Sequence, residues 1–167
     1  MRIIKLFLMI ILCFAITSCT DTNKPVPENN IIIAIYPCGT NEETYYFTLS
    51  DNELNVKLGT KEHESSVGMT DRESIANTSF MKKVKSVETK QLSDSDTDGI
   101  IAILDKLYTN DINIEPPVVF DSWEIQIYYK GSVLTQNCWE PDYEEINLLI
   151  EELKFISPIE INLHGWA

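Results

Sequence analysis

Residues 44–58 read TYYFTLSDNELNVKL, and this stretch decides the fold. Apolar and polar side chains alternate on both sides of residues 50–53, and a period of two residues is typical of half-buried β-strands. Serine, aspartate and asparagine in the middle supply turn chemistry. The sequence therefore predicts a β-hairpin with six side chains on its inner face: Tyr45, Phe47, Leu49, Leu54, Val56 and Leu58.

Alternation, or a run of β-branched residues, predicts further strands on either side of this hairpin. They cover residues 31–36, 81–90, 122–130, 132–137 and 159–163. Residues 59–79 are polar and are predicted to be mainly a loop. Apolar residues at helical spacing predict two helices, one after Ser93 and one between Pro141 and Ser157.

The condensed order of these elements is β-β-β-α-β-β-α-β. Runs of strands with two helices between them favour an antiparallel sheet with both helices packed on one face. We therefore expect a single small α+β domain over residues 31–167.

The N-terminal stretch has the layout of an export signal. Arg2 and Lys5 precede an almost unbroken apolar run, Leu6–Ala15, and small residues follow it. A helix needs about 20 apolar residues to cross a bilayer, and this run is only about half as long. The stretch is therefore predicted to direct export and to be a poor permanent membrane span.

Ile16-Thr17-Ser18-Cys19 closes this stretch and resembles the lipobox of bacterial lipoproteins, with threonine in place of the commoner alanine or serine at the second position. The resemblance implies that a diacylglyceryl group is added to the Cys19 thiol and that a peptidase cuts just before this residue. It implies a signal peptide over 1–18. Residues 19–30 are rich in proline and polar residues, and this composition predicts a flexible linker. The protein is then lipid-anchored in the bacterial cell envelope, on the exported side of the membrane.

The chain carries 13 basic and 26 acidic residues, a formal net charge of −13. An acidic surface repels nucleic acid and anionic lipid headgroups, so nucleic-acid binding and a basic membrane-docking patch are both disfavoured. The lipid on Cys19 is then the contact with the membrane, and we expect a monomer. Acidity also favours solubility, which is the simpler explanation for it.

Cys38 and Cys138 are the cysteines that remain after the leader is removed and Cys19 is lipidated. Export permits a disulfide between them, which would close a loop of about 100 residues and contribute up to about 4.7 kcal/mol by chain entropy. Two separate buried thiols are the alternative, and the spacing leaves both open. No zinc motif is present in the cysteine spacing.

Four aspartates are spaced like the ligands of the calcium loop in EF-hand and dockerin modules: Asp94, Asp96, Asp98 and Asp105. In such loops carboxylates around a glycine turn bind the ion. The same region fits a capping box, in which Ser93 and the residue three places later close the start of a helix. A calcium loop through residue 100 and a helix from residue 94 exclude each other.

Tyr46 and Tyr128 fall on the faces opposite to the apolar stripes of their strands. Exposed aromatic side chains on a sheet stack on sugars or anchor a protein partner. The alternative is that the helices or other parts of the core cover both tyrosines.

His63 and His164 are the only histidines, and no known catalytic motif surrounds them. We therefore expect a non-catalytic domain, without a required cofactor, that presents a rigid acidic surface to another envelope protein or an extracellular molecule. A calcium-binding module is the alternative. A small hydrolase with an unrecognised site is the third hypothesis.

Overall fold

A computed structural model describes residues 30–37, 43–61, 75–76, 80–109, 123–137 and 144–163. Six strands and two helices make up this part of the chain. In chain order they are β1 (Ile31–Pro37), β2 (Thr44–Ser50), β3 (Glu53–Lys61), β4 (Met81–Gln91), α1 (Asp94–Thr109), β5 (Trp123–Tyr129), β6 (Ser132–Asn137) and α2 (Glu144–Ile156).

The six strands form one antiparallel sheet in the order β4-β3-β2-β1-β5-β6. β1 lies inside the sheet, between β2 and β5, and all seven of its residues are buried. Its continuous run of apolar, mostly β-branched residues suits a strand that is covered on both faces. The sheet is therefore built around the strand that directly follows the predicted linker.

Two-residue turns close the hairpins β2–β3 and β5–β6. Asp51 and Asn52 have φ angles of 51° and 62°, and Lys130 and Gly131 have φ angles of 49° and 78°. Positive φ at both central residues is a mark of the type I′ turn, whose twist matches that of antiparallel strands. Both predicted hairpins are present.

The helices pack on one face of the sheet, and an apolar core fills the space between the two layers. α1 contributes Ile100, Leu104 and Leu107. α2 contributes a stripe at helical spacing, which consists of Ile146, Leu149, Ile150, Leu153 and Ile156. The sheet meets them with alternate residues of its strands, among them Ile33, Ile35, Phe47, Val56, Ile125 and Ile127. We call this cluster the helix-side core.

The predicted fold class, one small α+β domain with an antiparallel sheet and two helices, is confirmed. Four strands precede the first helix, and all four were predicted as separate segments. The order β-β-β-α-β-β-α-β shows only three strands before that helix, so it is one strand short. The strand predicted for residues 159–163 is absent, since this segment has no regular secondary structure.

The alternation in this last segment has a different cause. Ile159 and Ile161 are buried against the helix-side core. The backbone N–H of Asn162 donates a hydrogen bond to the Tyr45 hydroxyl at 3.1 Å, so the segment is fixed by a side chain and not by a strand partner. An irregular segment that lies on a core can bury alternate residues just as a strand does.

Candidate functional site

The buried polar side chains of the described residues lie on the second face of the sheet, which is the face away from the helices. They are Thr44, Lys61, Glu124 and Gln126. On each strand they alternate with residues of the helix-side core, so they point to the opposite side. All four buried polar side chains of the described residues therefore lie on the second face.

A small apolar cluster lies on the same face: Ile32, Ala34, Tyr36, Ile75 and Phe80. Two of its members, Ile75 and Phe80, belong to the connection between β3 and β4. β3 itself runs on to Lys61, three residues into the stretch predicted as a loop. Ile75 is fully buried, so the described part of this connection covers the second face.

Tyr46 is held by that covering segment. Its hydroxyl donates a hydrogen bond to the carbonyl oxygen of Ile75 at 3.0 Å, and its ring centre lies 5.6 Å from that of Phe80. The ammonium of Lys57 lies 5.7 Å from the centre of the Tyr46 ring. Burial raises the pKa of Tyr46 to about 12, so the hydroxyl remains a donor at neutral pH.

Tyr128 is half-buried on the same face. It lies across from Ile32 on β1 and from Val133 on β6, and it packs against the second-face cluster. Both tyrosines thus lie where the alternation places them, and Tyr46 acts as a packing residue. A binding role for either one stays a prediction.

Lys61 and Glu124 lie towards the same end of the second face. The Lys61 ammonium is 5.0 Å from the centre of the Tyr36 ring, and Glu124 is the register partner of Tyr36. Gln126 is 2% exposed, and its side-chain oxygen accepts no hydrogen bond within the described part of the chain. Leaving a buried acceptor unsatisfied costs about 1–3 kcal/mol. A lysine, a carboxylate and an amide are thus buried on this face, and the amide oxygen of Gln126 is an acceptor left without a partner there among the described residues.

The start of α1 forms the predicted capping box. The backbone N–H of Asp96 donates to the Ser93 hydroxyl at 3.2 Å, and the backbone N–H of Ser93 donates to the Asp96 carboxylate at 3.2 Å. The Asn52 side chain donates to the Asp94 carboxylate at 2.6 Å, which ties the β2–β3 turn to the helix. The first-turn aspartates therefore close the helix start.

Asp105 lies in a separate cluster near the other end of α1. Its carboxylate accepts hydrogen bonds from the Lys130 ammonium at 2.7 Å and from the Tyr129 hydroxyl at 2.8 Å. The hydrogen bond from Lys130 is the larger cause that lowers the pKa of Asp105, and the same hydrogen bond raises the pKa of Lys130. This cluster fixes α1 to the β5–β6 turn.

The structure does not bring the four aspartates of the calcium motif together. α1 is helical from Asp94, and Asp105 lies eleven positions further on, about 16 Å away along the helix axis. Among the residues described, no group of three or more histidine, cysteine or acidic side chains is placed to hold a metal ion. The EF-hand-like arrangement is therefore corrected to a helix cap and a surface ion pair.

We expect calcium and magnesium to raise the melting temperature of the protein equally. Either divalent ion relieves the mutual repulsion of the carboxylates, whereas a specific calcium site needs ligands around one point. Thermal unfolding in EDTA, in magnesium and in calcium measures this. A rise that only calcium produces, and that Asp96→Ala abolishes, would restore the calcium module.

Several predicted residues lie outside the described part of the chain: Cys19, Cys38, His63, Cys138 and His164. The strand register nevertheless constrains the neighbours of two cysteines. Pro37 pairs with Trp123, and Asn137 pairs with Glu124. The last described residues before Cys38 and Cys138 therefore lie at the same end of the sheet, two strand spacings or about 10 Å apart.

Peptide mapping of the exported protein without reductant is expected to find Cys38 joined to Cys138. Pro37 and Asn137, which directly precede the two cysteines, lie at the same end of the sheet, and a disulfide requires Cα atoms within about 7 Å. The reduced protein serves as the control, in which the joined peptide separates into two. Two thiols that are alkylated in the unreduced protein would contradict the bridge.

Basic side chains collect on β3 and β4, a feature that the net charge conceals. We call these two strands the basic ribbon. They carry six lysines and two glutamates: Lys57, Lys61, Lys82, Lys83, Lys85, Lys90, Glu53 and Glu88. The other described residues carry three lysines and twelve carboxylates. The lysine run at 82–90 was the available signal in the sequence, but it indicated only a strand.

No helix among the described residues is long and apolar enough to cross a membrane. No protein-family model matches this chain, and comparisons with curated proteins and with solved structures find no match. Its function is therefore inferred from its own residues and their geometry.

Proposed function

We propose that this protein is a lipid-anchored component of the bacterial cell envelope and that its α+β domain is a non-catalytic binding module. The acyl chains are attached at Cys19. The domain faces the exported side of the membrane and binds another envelope protein or an extracellular molecule.

The stretch at the N-terminus carries this proposal. Arg2 and Lys5, the short apolar run and Ile16-Thr17-Ser18-Cys19 follow one another in the order of a lipoprotein leader. Eleven residues, 20–30, then separate Cys19 from β1. Fully extended, they reach about 36–40 Å, which is long enough to hold a small domain clear of the lipid headgroups.

The exposed carboxylates on the helix layer support a binding role, because only a few of the charged side chains hold the fold together. Asp96 caps α1, Asp105 pairs with Lys130, and the Lys90 ammonium donates to the carbonyl oxygen of Ile156 at 2.9 Å. Asp96 closes the start of its own helix, and the other two contacts fix the helices to the sheet and to one of its turns. Many other carboxylates lie exposed on and beside the two helices, among them Asp94, Asp98, Glu144, Glu151 and Glu160. The helix layer therefore offers a partner a rigid acidic surface.

Changing Cys19 to alanine is expected to move nearly all of the protein from the membrane fraction to the soluble fraction. Removing the thiol removes the only attachment point for the acyl chains, and each buried methylene of those chains contributes about 0.8 kcal/mol to membrane binding. Fractionation after a high-salt wash, together with incorporation of radiolabelled palmitate, measures this.

Cys13→Ala is the matched control, because it changes a cysteine within the predicted leader. It should leave both the labelling and the fractionation unchanged. A Cys19→Ala protein that still fractionates with the membrane would overturn the proposed anchoring.

A further inference from the structure

β4 is an edge strand of the sheet, and among the described strands only β3 pairs with it. It is 11 residues long and pairs with β3, and its outer edge pairs with no other described strand. All of its residues except Met81 and Ser86 are exposed, so side chains on both of its faces meet solvent. Such an edge presents unpaired backbone N–H and C=O groups to an added strand.

At the start of β4, three lysines have no partner among the described residues. Lys82, Lys83 and Lys85 are exposed, and within the described residues their side chains make no ion pair or hydrogen bond. The register with β3 skips Lys82 and Lys85, which are therefore extra residues at two irregularities of the ladder. Their charge is available to a partner.

The second half of β4 is regular. From Ser86 to Gln91 its register with β3 runs without a shift, and six residues are a typical length for one strand. Val87 is 52% exposed and Val84 is 41% exposed. Both lie on the second-face side, across from Lys57 and Gly59 respectively. The regular half of the edge thus combines backbone groups that no described strand pairs with one exposed apolar side chain, Val87, and Val84 lies just before it.

We propose that β4 binds an extended acidic peptide segment of a partner protein as a seventh strand of the sheet. The backbone of the segment pairs along Ser86–Gln91. Its carboxylates meet the lysines of the basic ribbon, and an apolar side chain contacts Val87. This inference rests on the proposed role as a binding module, but it does not depend on the lipid anchor.

The lysines of the basic ribbon favour an acidic strand over other binding partners. Two copies of β4 would bring lysines against lysines, and edge lysines oppose such self-pairing. The same lysines attract an acidic strand. Outside the basic ribbon the described residues carry twelve carboxylates and three lysines, so a membrane or a long polyanion that extends beyond the ribbon meets a net negative charge. A single narrow strand fits within the ribbon.

The test uses the full-length chain in a non-ionic detergent and a fluorescent ten-residue peptide of alternating glutamate and valine. A second peptide has the same sequence with N-methylated amides, so it keeps every charge and loses its hydrogen-bond donors. We expect the first peptide to bind at least tenfold more tightly than the second. Hydrogen exchange at the amides of Ser86–Gln91 should slow when the first peptide binds.

A charge-reversal pair tests the lysines. Lys82→Glu combined with Lys85→Glu should weaken binding of the first peptide at least tenfold. Lys106→Glu combined with Lys154→Glu makes the same change in net charge on the two helices and should have a much smaller effect. If the first pair prevents folding, the comparison of the two peptides on the unchanged protein still decides.

Three results would overturn the proposal: equal binding of the two peptides, no binding of either, or equally strong binding of inorganic polyphosphate or of phosphatidylglycerol in mixed micelles at β4. None of them bears on the anchoring at Cys19. Conversely, release of Cys19→Ala from the membrane says nothing about β4, so the two proposals can fail separately.

Discussion

Replacing Phe47 with alanine is expected to lower the free energy of unfolding by about 3–5 kcal/mol. Phe47 is 1% exposed and lies on β2, in the helix-side core. In the register it stands between Ile33 on β1 and Val56 on β3. Truncation removes buried apolar surface and leaves a cavity that the two rigid neighbouring strands cannot close.

Phe155→Ala is the matched control for this prediction. Phe155 lies on α2 and is 79% exposed, so the same truncation should change the free energy of unfolding by no more than about 0.5 kcal/mol. Urea denaturation of both variants measures the difference. Similar losses in the two variants would mean that the helix layer does not cover the sheet as described.

Gly59→Ala is expected to lower the free energy of unfolding by about 1–3 kcal/mol. A Cβ atom at this position would lie 2.0 Å from the carbonyl oxygen of Lys83 and 3.0 Å from the Cα of Val84. These are backbone atoms, so β4 itself must move away from β3. The substitution should also speed hydrogen exchange along β4.

Gly99→Ala provides the opposite control. Gly99 lies in α1, and a Cβ added there meets no atom within 4 Å. Alanine in a helix is favoured over glycine by roughly 0.5–1 kcal/mol, so this variant should be more stable than the parent. If both variants gain stability in thermal unfolding, the backbones of β3 and β4 do not approach each other at Gly59 as closely as described.

The fold was predicted from the local periodicity of apolar residues along the chain. Residues 44–58 alternate cleanly because one face of that hairpin meets the helix-side core, and the helix stripes follow from the same contact. The extension of β3 to Lys61 was missed, since a buried lysine and a glycine do not look like strand residues. The strand predicted at 159–163 was wrong because alternation records burial and not strand pairing.

The candidate sites were harder to predict, because they depend on which strands become neighbours. The position of β1 between β2 and β5 joins segments that are far apart in the chain, and it sets Glu124 beside Tyr36. The calcium motif and the capping box use the same residues, so spacing alone could not separate them. Net charge is a sum over the whole chain, so its negative value gives no sign that lysines outnumber carboxylates on the basic ribbon.

The interior position of β1 also decides how the domain carries a load. In the anchored protein that we propose, a pull between the lipid and a bound partner reaches the domain through Ile31, the first residue of β1. Hydrogen bonds to β2 and to β5 run perpendicular to β1, and therefore perpendicular to a pull along its axis. They are loaded together in shear instead of being peeled apart one at a time. The tether therefore attaches to the strand that mechanical force removes least easily.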